Sequence, residues 1–408
     1  MSKALRCLAL ALTGGIFLLC AAQSAKAGTT LEAIKARGTV QCGINVQPGF
    51  SAPDAQGRWT GLWFDLCRAL AATALGDSSR YELIPVESMN RLNALSSGGI
   101  DVLVDGATVN LEREAKLALS FPAIWLYDGK GFLAHRSLKL KSIRDVKDAT
   151  ICVADNTTTS QNLNDYIHKE KLNVHVLATK TEQGAWQSYL KGRCEIMTND
   201  RFSLLSRLTI DAQNPDDHDL LPEVLSKEPL GPATRSDDAQ WIKLVRWTIY
   251  ALIAAEEHGL TSANIAQTPA TGDPEMDLLT GHGPDYADNL GVSPGWAKRA
   301  ISQVGNYGEV FDRNFGEGSP VKTQRGLNAL WTKGGLIYAP PVRRSLAETP
   351  PAPYPPRRLV PPDGRACPDG RTDPGGQSGG AGFPTAVPQR LCRDHRPMVA
   401  QHRSGGPP

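Results

Sequence analysis

The chain has 408 residues, 41% of them hydrophobic and 21% charged, with a formal net charge of +2. That length is enough for two ordinary domains with cores of their own. The near-neutral balance, with no Lys/Arg run and no basic helix, excludes nucleic acid and acidic membrane surfaces as expected partners.

The N-terminus reads as an export signal. Lys3 and Arg6 precede an apolar stretch over 8–22, and the small-residue site Ala25-Lys26-Ala27 stands before Gly28. The stretch is too short for a membrane anchor, and Leu19 before Cys20 does not suit lipoprotein cleavage. Cleavage after Ala27 and release into the periplasm are therefore expected. No other stretch is long enough to span a bilayer. The best candidate, 247–255, is flanked by charges and stops at Gly259, so it reads as a core helix. Export makes the cysteines interpretable, because disulfides persist outside the cytoplasm. Beyond Cys7 and Cys20 in the signal, the globular part holds Cys42, Cys67, Cys152 and Cys194. Local pairing, Cys42 with Cys67 and Cys152 with Cys194, is preferred among three connectivities. The spacing offers no close Cys or His pairs, so no metal is expected.

In chain order, the pattern predicts a strand over 39–45, a helix over 61–75 stopped by Gly76, and a strand over 80–86. A helix over 90–97 then closes on Gly98-Gly99 and feeds a strand over 100–104. Such alternation is the signature of a parallel sheet flanked by helices. The strand runs out into Gly106 and sets Thr108 and Arg113 at the mouth of a helix. Backbone N–H groups freed at Gly106, the Thr108 hydroxyl and the planar fork of Arg113 supply the donors that a small carboxylate needs.

The same order recurs with a strand over 150–154, the turn Thr157-Thr158-Thr159, a helix over 162–169, a strand over 173–178, a helix over 184–191 and a strand over 194–198. The segment 192–200 ends on Asp200, a carboxylate that can receive an ammonium group. An anion site and a cation site together are what a free amino acid requires. The connections at 131–135 and 229–233 are extended and rich in Gly and Pro, which suits paired crossings between two lobes, a hinge. A helix over 241–257 follows, so the first lobe is built from both ends of the chain. After Arg343 the composition turns to Pro and Gly, and a disordered tail over 344–408 is expected; Cys367 and Cys392 within it have no assigned role.

With both motifs in place, the chain resembles the substrate-binding proteins of polar amino-acid ABC uptake systems, most of all the general L-amino-acid-binding type, over 29–343. The likeness is carried by Val40-Gln-Cys-Gly-Ile-Asn45, Ala52-Pro-Asp54, Tyr127-Asp-Gly129, Ser226-Lys-Glu-Pro-Leu-Gly-Pro-Ala233, Val304-Gly-Asn-Tyr-Gly-Glu309, Arg325-Gly-Leu-Asn-Ala-Leu-Trp331 and Tyr338-Ala-Pro-Pro-Val-Arg343. It implies the α/β type II periplasmic binding protein fold: two lobes, each a mainly parallel sheet flanked by helices, joined by a two-strand hinge. The expected division is a signal over 1–27, a first lobe over 28–133 and 229–343, and a second lobe over 134–228. Free L-amino acids and a membrane permease are the implied partners. A monomer is expected, without a cofactor.

Carried over by position, the resemblance makes Arg113 the grip on the ligand α-carboxylate, with Gly106 and Thr108 beside it and Thr157 and Thr158 opposite. Asp200 would receive the α-ammonium, and Phe50 would wall the ligand. Each residue has a plainer role open to it, as a solvated helix charge, an N-cap or ordinary core. The chain also departs from the family pattern at Trp63 in Gly61-Leu-Trp63-Phe-Asp65, at Asn156 before the threonine turn, and at Asp105-Gly106. These changes spare the part of the site that reads the amino-acid backbone and fall on the part that reads the side chain.

Two rival readings are weaker. Gly291-Val-Ser293-Pro-Gly295 matches a nucleophile-elbow pattern, but a polar loop precedes it where an elbow needs a strand. Ser293 and Pro294 read instead as a helix N-cap and first helical residue. Periplasmic cyclohexadienyl dehydratases share the implied fold, yet such an enzyme needs a general acid aimed at a leaving hydroxyl. No spare acid has that claim, and the chain is expected not to be an enzyme.

Overall fold

In the computed structural model, residues 29–342 are described. The expected signal over 1–27 and the expected tail over 344–408 lie outside the described residues. After a helix at Thr29–Arg37 come β1 (Val40–Ile44), the short pair β2 (Ala52–Pro53) and β3 (Trp59–Thr60), and the helix Leu62–Leu75. Then follow β4 (Tyr81–Pro85), the helix Arg91–Ser96 and β5 (Val102–Leu103). Strand β1 is central and parallel to both β4 and β5. A parallel sheet needs crossovers that cover its faces. The helix Leu62–Leu75 does so and is itself buried on every side except at Arg68 and Leu75. It packs against Trp296–Val304 and against Ala239–Glu257, so residues from the far end of the chain complete this core.

The entry to that helix is fixed by one glycine. Gly61 has φ 132°, and a β-carbon there would stand 2.1 Å from the Phe50 carbonyl oxygen. Only because Gly61 lacks one can that carbonyl accept from the N–H groups of Trp63 (2.9 Å) and Phe64 (3.2 Å), satisfying the open end of the helix.

The second sheet is built on β7 (Leu126–His135), with β6 (Leu119–Ser120) just before it, followed by β8 (Thr150–Ala154), β9 (His175–Thr179), β10 (Ile196–Asp200), β11 (His218–Leu220) and β12 (Lys227–Leu230). Its order is β11-β7-β10-β8-β9, with β12 also on β7. Within it β8, β9 and β10 are parallel, whereas β7 runs antiparallel to β10, β11 and β12. This sheet is mixed rather than mainly parallel, because β7 runs against the common direction of β8, β9 and β10. Successive residues of β7 serve opposite faces. Phe132 joins Ile151, Leu163 and Ile196 on one face, and Leu133 joins Trp186, Tyr189 and Met197 on the other.

Strand β7 changes partners along its length. Tyr127 to Gly129 pair with Pro229 to Lys227, while Gly131 to Ala134 are already within the second sheet, opposite Asn199 to Ile196. A last short strand, β13 (Thr234–Arg235), returns to pair with β6. Disulfides join Cys42 to Cys67, tying β1 to its covering helix, and Cys152 to Cys194, tying β8 to the approach to β10.

The loop at Gly291-Val-Ser293-Pro-Gly295 corrects one expectation. The helix starts at Trp296, with Gly295 at its cap in the left-handed region (φ 76°). Asp285 accounts for this, since its carboxylate accepts from the Gly295 N–H and its carbonyl from Trp296 Nε1. A short helix, Ala287–Leu290, and not a strand, directly precedes this loop. Among the described residues no helix is long and apolar enough to cross a membrane.

Candidate functional site

The ends of the two sheets face one another across a cleft lined by Phe50, Gly106, Thr108, Thr157, Thr158 and Asp200, together with Arg91, Asp105, Lys130 and Glu182. Six of the seven expected ligand residues meet there. Arg113, the seventh, stands behind Thr108: its guanidinium is buried and donates to the Thr108 carbonyl at 2.5 Å. Asn110 caps the short helix Leu111–Lys116 by accepting from the Arg113 N–H, which fixes where that side chain starts. Burial, and then repulsion from Arg91, lower the Arg113 pKa to about 10. No carboxylate lies within ion-pair distance of it among the described residues. A buried cation held only by a carbonyl is a strong attractor for an anion.

On the facing side the helix Thr158–Glu170 points its N-terminus into the cleft. Thr157 is its N-cap, accepting from the Ser160 N–H at 3.1 Å while its own hydroxyl donates to the Ala154 carbonyl. Asn156 just before it has φ 54°. Asn tolerates that left-handed turn better than other non-glycine side chains. The Thr158 hydroxyl stands 3.3 Å from that of Thr108, and Thr108 donates to Glu228 Oε2 at 2.6 Å. An incoming carboxylate must therefore compete with Glu228 for the Thr108 hydroxyl.

Asp200 is the first turn's cap residue for Arg201–Ser206 but makes no capping bond with its side chain. Its Oδ1 accepts instead from Lys130 Nζ at 2.7 Å, and the same ammonium is 3.6 Å from Glu228 Oε2. Burial pushes the Asp200 pKa up to about 6, against the pull of Lys130 and with the help of Glu228. For Lys130, burial opposes the charge, but Asp200 and Glu228 outweigh it and raise its pKa. Further side-chain bonds close the cleft, from Gln47 Nε2 to Ser203 Oγ at 2.6 Å and from Ser88 Oγ to Glu182 at 3.3 Å.

Phe50 forms a wall, buried and edge-on to Phe315 at 5.0 Å. The floor is made by Arg91 and Asp105, paired at 2.9 Å with both side chains nearly or wholly buried. Gly106 (φ 82°) lies over Trp63, whose Nε1 would be 3.4 Å from a β-carbon there. Sequence reasoning missed Lys130, Glu228, Arg91 and Glu182. Lys130 and Glu228 did carry a signal, since each is a charge within a short extended segment of apolar and Gly/Pro residues that a sheet would bury.

The pattern of the bacterial extracellular solute-binding proteins, family 3, matches residues 40–262. The chain belongs to that family. It is 44% identical over 333 residues to the general L-amino acid-binding periplasmic protein AapJ of Rhizobium johnstonii, covering 81% of this chain and 97% of that one. It is 41% identical over 333 residues to the glutamate/glutamine/aspartate/asparagine-binding protein BztA of Rhodobacter capsulatus, covering 81% and 98%. Among solved structures, an ABC transporter/periplasmic binding protein from Brucella ovis with glutathione bound superposes with a TM-score of 0.74 at 40% identity, covering 77% of this chain and 99% of that one. These relatives are binding proteins, not enzymes, and the family's two-lobed periplasmic binding protein fold is the fold of this chain.

Proposed function

We propose that this protein captures free L-amino acids between its two lobes in the periplasm and delivers them to the membrane permease of an ABC importer. The observation that carries the reading is a pair of opposite charges at one cleft: the buried Arg113 just behind Thr108, without a carboxylate partner among the described residues, and Asp200 in the lining, with Oδ2 receiving no donor from them. In this reading the α-carboxylate lies between Arg113, the Gly106 turn and the helix N-terminus at Thr158, where N–H groups and the helix dipole favour negative charge. The α-ammonium takes Asp200, and Phe50 covers the apolar stem.

Residues 126–130 and 227–230 would be the two crossing strands, so that the lobes are 29–125 with 231–342, and 131–226. Export with cleavage after Ala27, a monomeric state and no nucleic-acid partner complete the proposal. Isothermal titration with the twenty L-amino acids is the test. One-site binding of several of them is expected. Binding of none, or turnover of arogenate or prephenate, would overturn the reading.

A further inference from the structure

We infer that the side-chain end of this cleft selects amino acids whose side chains end in N–H donors, amides and cations, over those that end in a carboxylate. The inference rests on the proposed function, which assigns Arg113 and Asp200 to the ligand's backbone groups. What then remains facing the side chain is acidic. At the cleft and just behind it stand three cations, Arg91, Lys130 and Arg113, and four carboxylates, Asp105, Glu182, Asp200 and Glu228, so that one carboxylate is in excess, and a zwitterionic ligand backbone leaves that balance unchanged.

The pairing identifies the acids least satisfied. Lys130 is committed to Asp200. Arg91 takes Asp105 through Oδ2 alone, and the fully buried Oδ1 of Asp105 has no hydrogen-bond partner among the described residues. Glu182, in the first turn of the helix Glu182–Leu190, makes no ion pair within 4.0 Å among the described residues; it is held only by long bonds from Ser88 Oγ (3.3 Å) and Asn199 Nδ2 (3.4 Å). Both acids act on the single guanidinium of Arg91.

A buried acceptor left open is costly, and an N–H donor from the ligand removes that cost. The open donors nearby, Arg91 Nε and Trp63 Nε1, suit the carbonyl of an amide. A carboxylate would meet the same donors, but beside the carboxyl oxygens of Asp105 and Glu182, to which it brings no N–H donor and only further acceptors.

The isosteric pairs glutamine/glutamate and asparagine/aspartate give the test, because each pair differs in a terminal NH2 against an oxygen and hardly in size. Titrating the full chain at pH 7.5, glutamine and asparagine should bind at least about tenfold more tightly than their acids, the scale of one like-charge clash. Glu182→Gln and Asp105→Asn should each shrink that ratio. Circular dichroism checks folding; should Asp105→Asn unfold through loss of the Arg91 pair, the half-buried Glu182→Gln variant decides alone. Equal or tighter binding of glutamate, or a ratio unmoved in the folded variants, would overturn the inference while leaving amino-acid capture intact. Failure of every amino acid to bind would instead reject the proposed function.

Discussion

Lys130 and Asp200 are directly opposed across the antiparallel pair of β7 and β10, and their side chains meet at 2.7 Å. Cross-strand neighbours of opposite charge attract, and here the pair sits where the second sheet meets the cleft. Lys130 thereby holds charge on an acid that burial would otherwise protonate.

The first prediction concerns pH. With its pKa pushed up to about 6, Asp200 is ionised at pH 7.5 and able to receive an ammonium. It gains a proton as pH falls through 6, so affinity for neutral amino acids should drop between pH 7 and pH 5. Folding has the opposite sign for this group: a raised carboxyl pKa contributes stability that is full below the unfolded value and lost as pH rises through about 6. Lys130→Met removes the opposing charge, so its affinity loss should begin at higher pH than in the wild type. Titrations from pH 5 to 8 check this; a flat profile in both proteins would reject Asp200 as the ammonium acceptor.

Gly61→Ala should lower the unfolding midpoint and weaken ligand binding together. The new methyl group meets the Phe50 carbonyl, and the backbone at φ 132° resists a side chain; about 2 kcal/mol of strain is the expected scale. Gly57→Ala is the comparison, because it shares a positive φ (76°) but has nothing within 4 Å. Chemical denaturation of both variants should show the larger loss at Gly61, with binding weakened only there, since Phe50 walls the cleft.

The alternation of strands and helices was legible because apolar periodicity survives wherever an element is buried on one or both faces. Thr150–Ala154 matches the predicted span, and Leu62–Leu75 differs from it by one residue. The change of partners along β7 was less legible, since Gly129, opposite Lys227, and Gly131, opposite Asn199, look alike in sequence. For the candidate site, motifs pointed to the Gly106 turn after β5 and to Asp200 at the end of β10, and both line the cleft. They did not reveal that Lys130 would sit against Asp200, because that contact depends on the register between two strands whose facing residues are 70 apart in sequence. Nor did they reveal the Arg91–Asp105 floor, where a helix and a strand end meet only in three dimensions.

The disulfides should each stabilise their own sheet without restricting the cleft. Their sequence separations of 25 and 42 residues correspond to about 3–4 kcal/mol each from chain entropy. Replacing Cys42 and Cys67, or Cys152 and Cys194, by Ala should lower stability on that scale and leave affinity nearly unchanged. Non-reducing peptide mapping should recover the two local pairs. A peptide linking Cys42 or Cys67 to Cys152 or Cys194 would contradict the geometry.

The sharpest prediction joins the two ends of the ligand. Arg113→Ala and Asp200→Ala should each cost about 2–5 kcal/mol of binding, because each leaves a charged end of the amino acid desolvated without its partner. In affinity that is roughly thirtyfold to several thousandfold. Arg113→Lys should recover only part, since a point charge cannot reproduce the planar two-bond grip of a guanidinium on a carboxylate. Arg113 follows the first sheet and Asp200 ends a strand of the second, so a ligand held by both favours the closed arrangement over an open one. Small-angle scattering should show the wild type becoming more compact with a bound amino acid and either alanine variant failing to do so. Wild-type affinity and normal compaction in both variants would place the amino acid elsewhere than between Arg113 and Asp200.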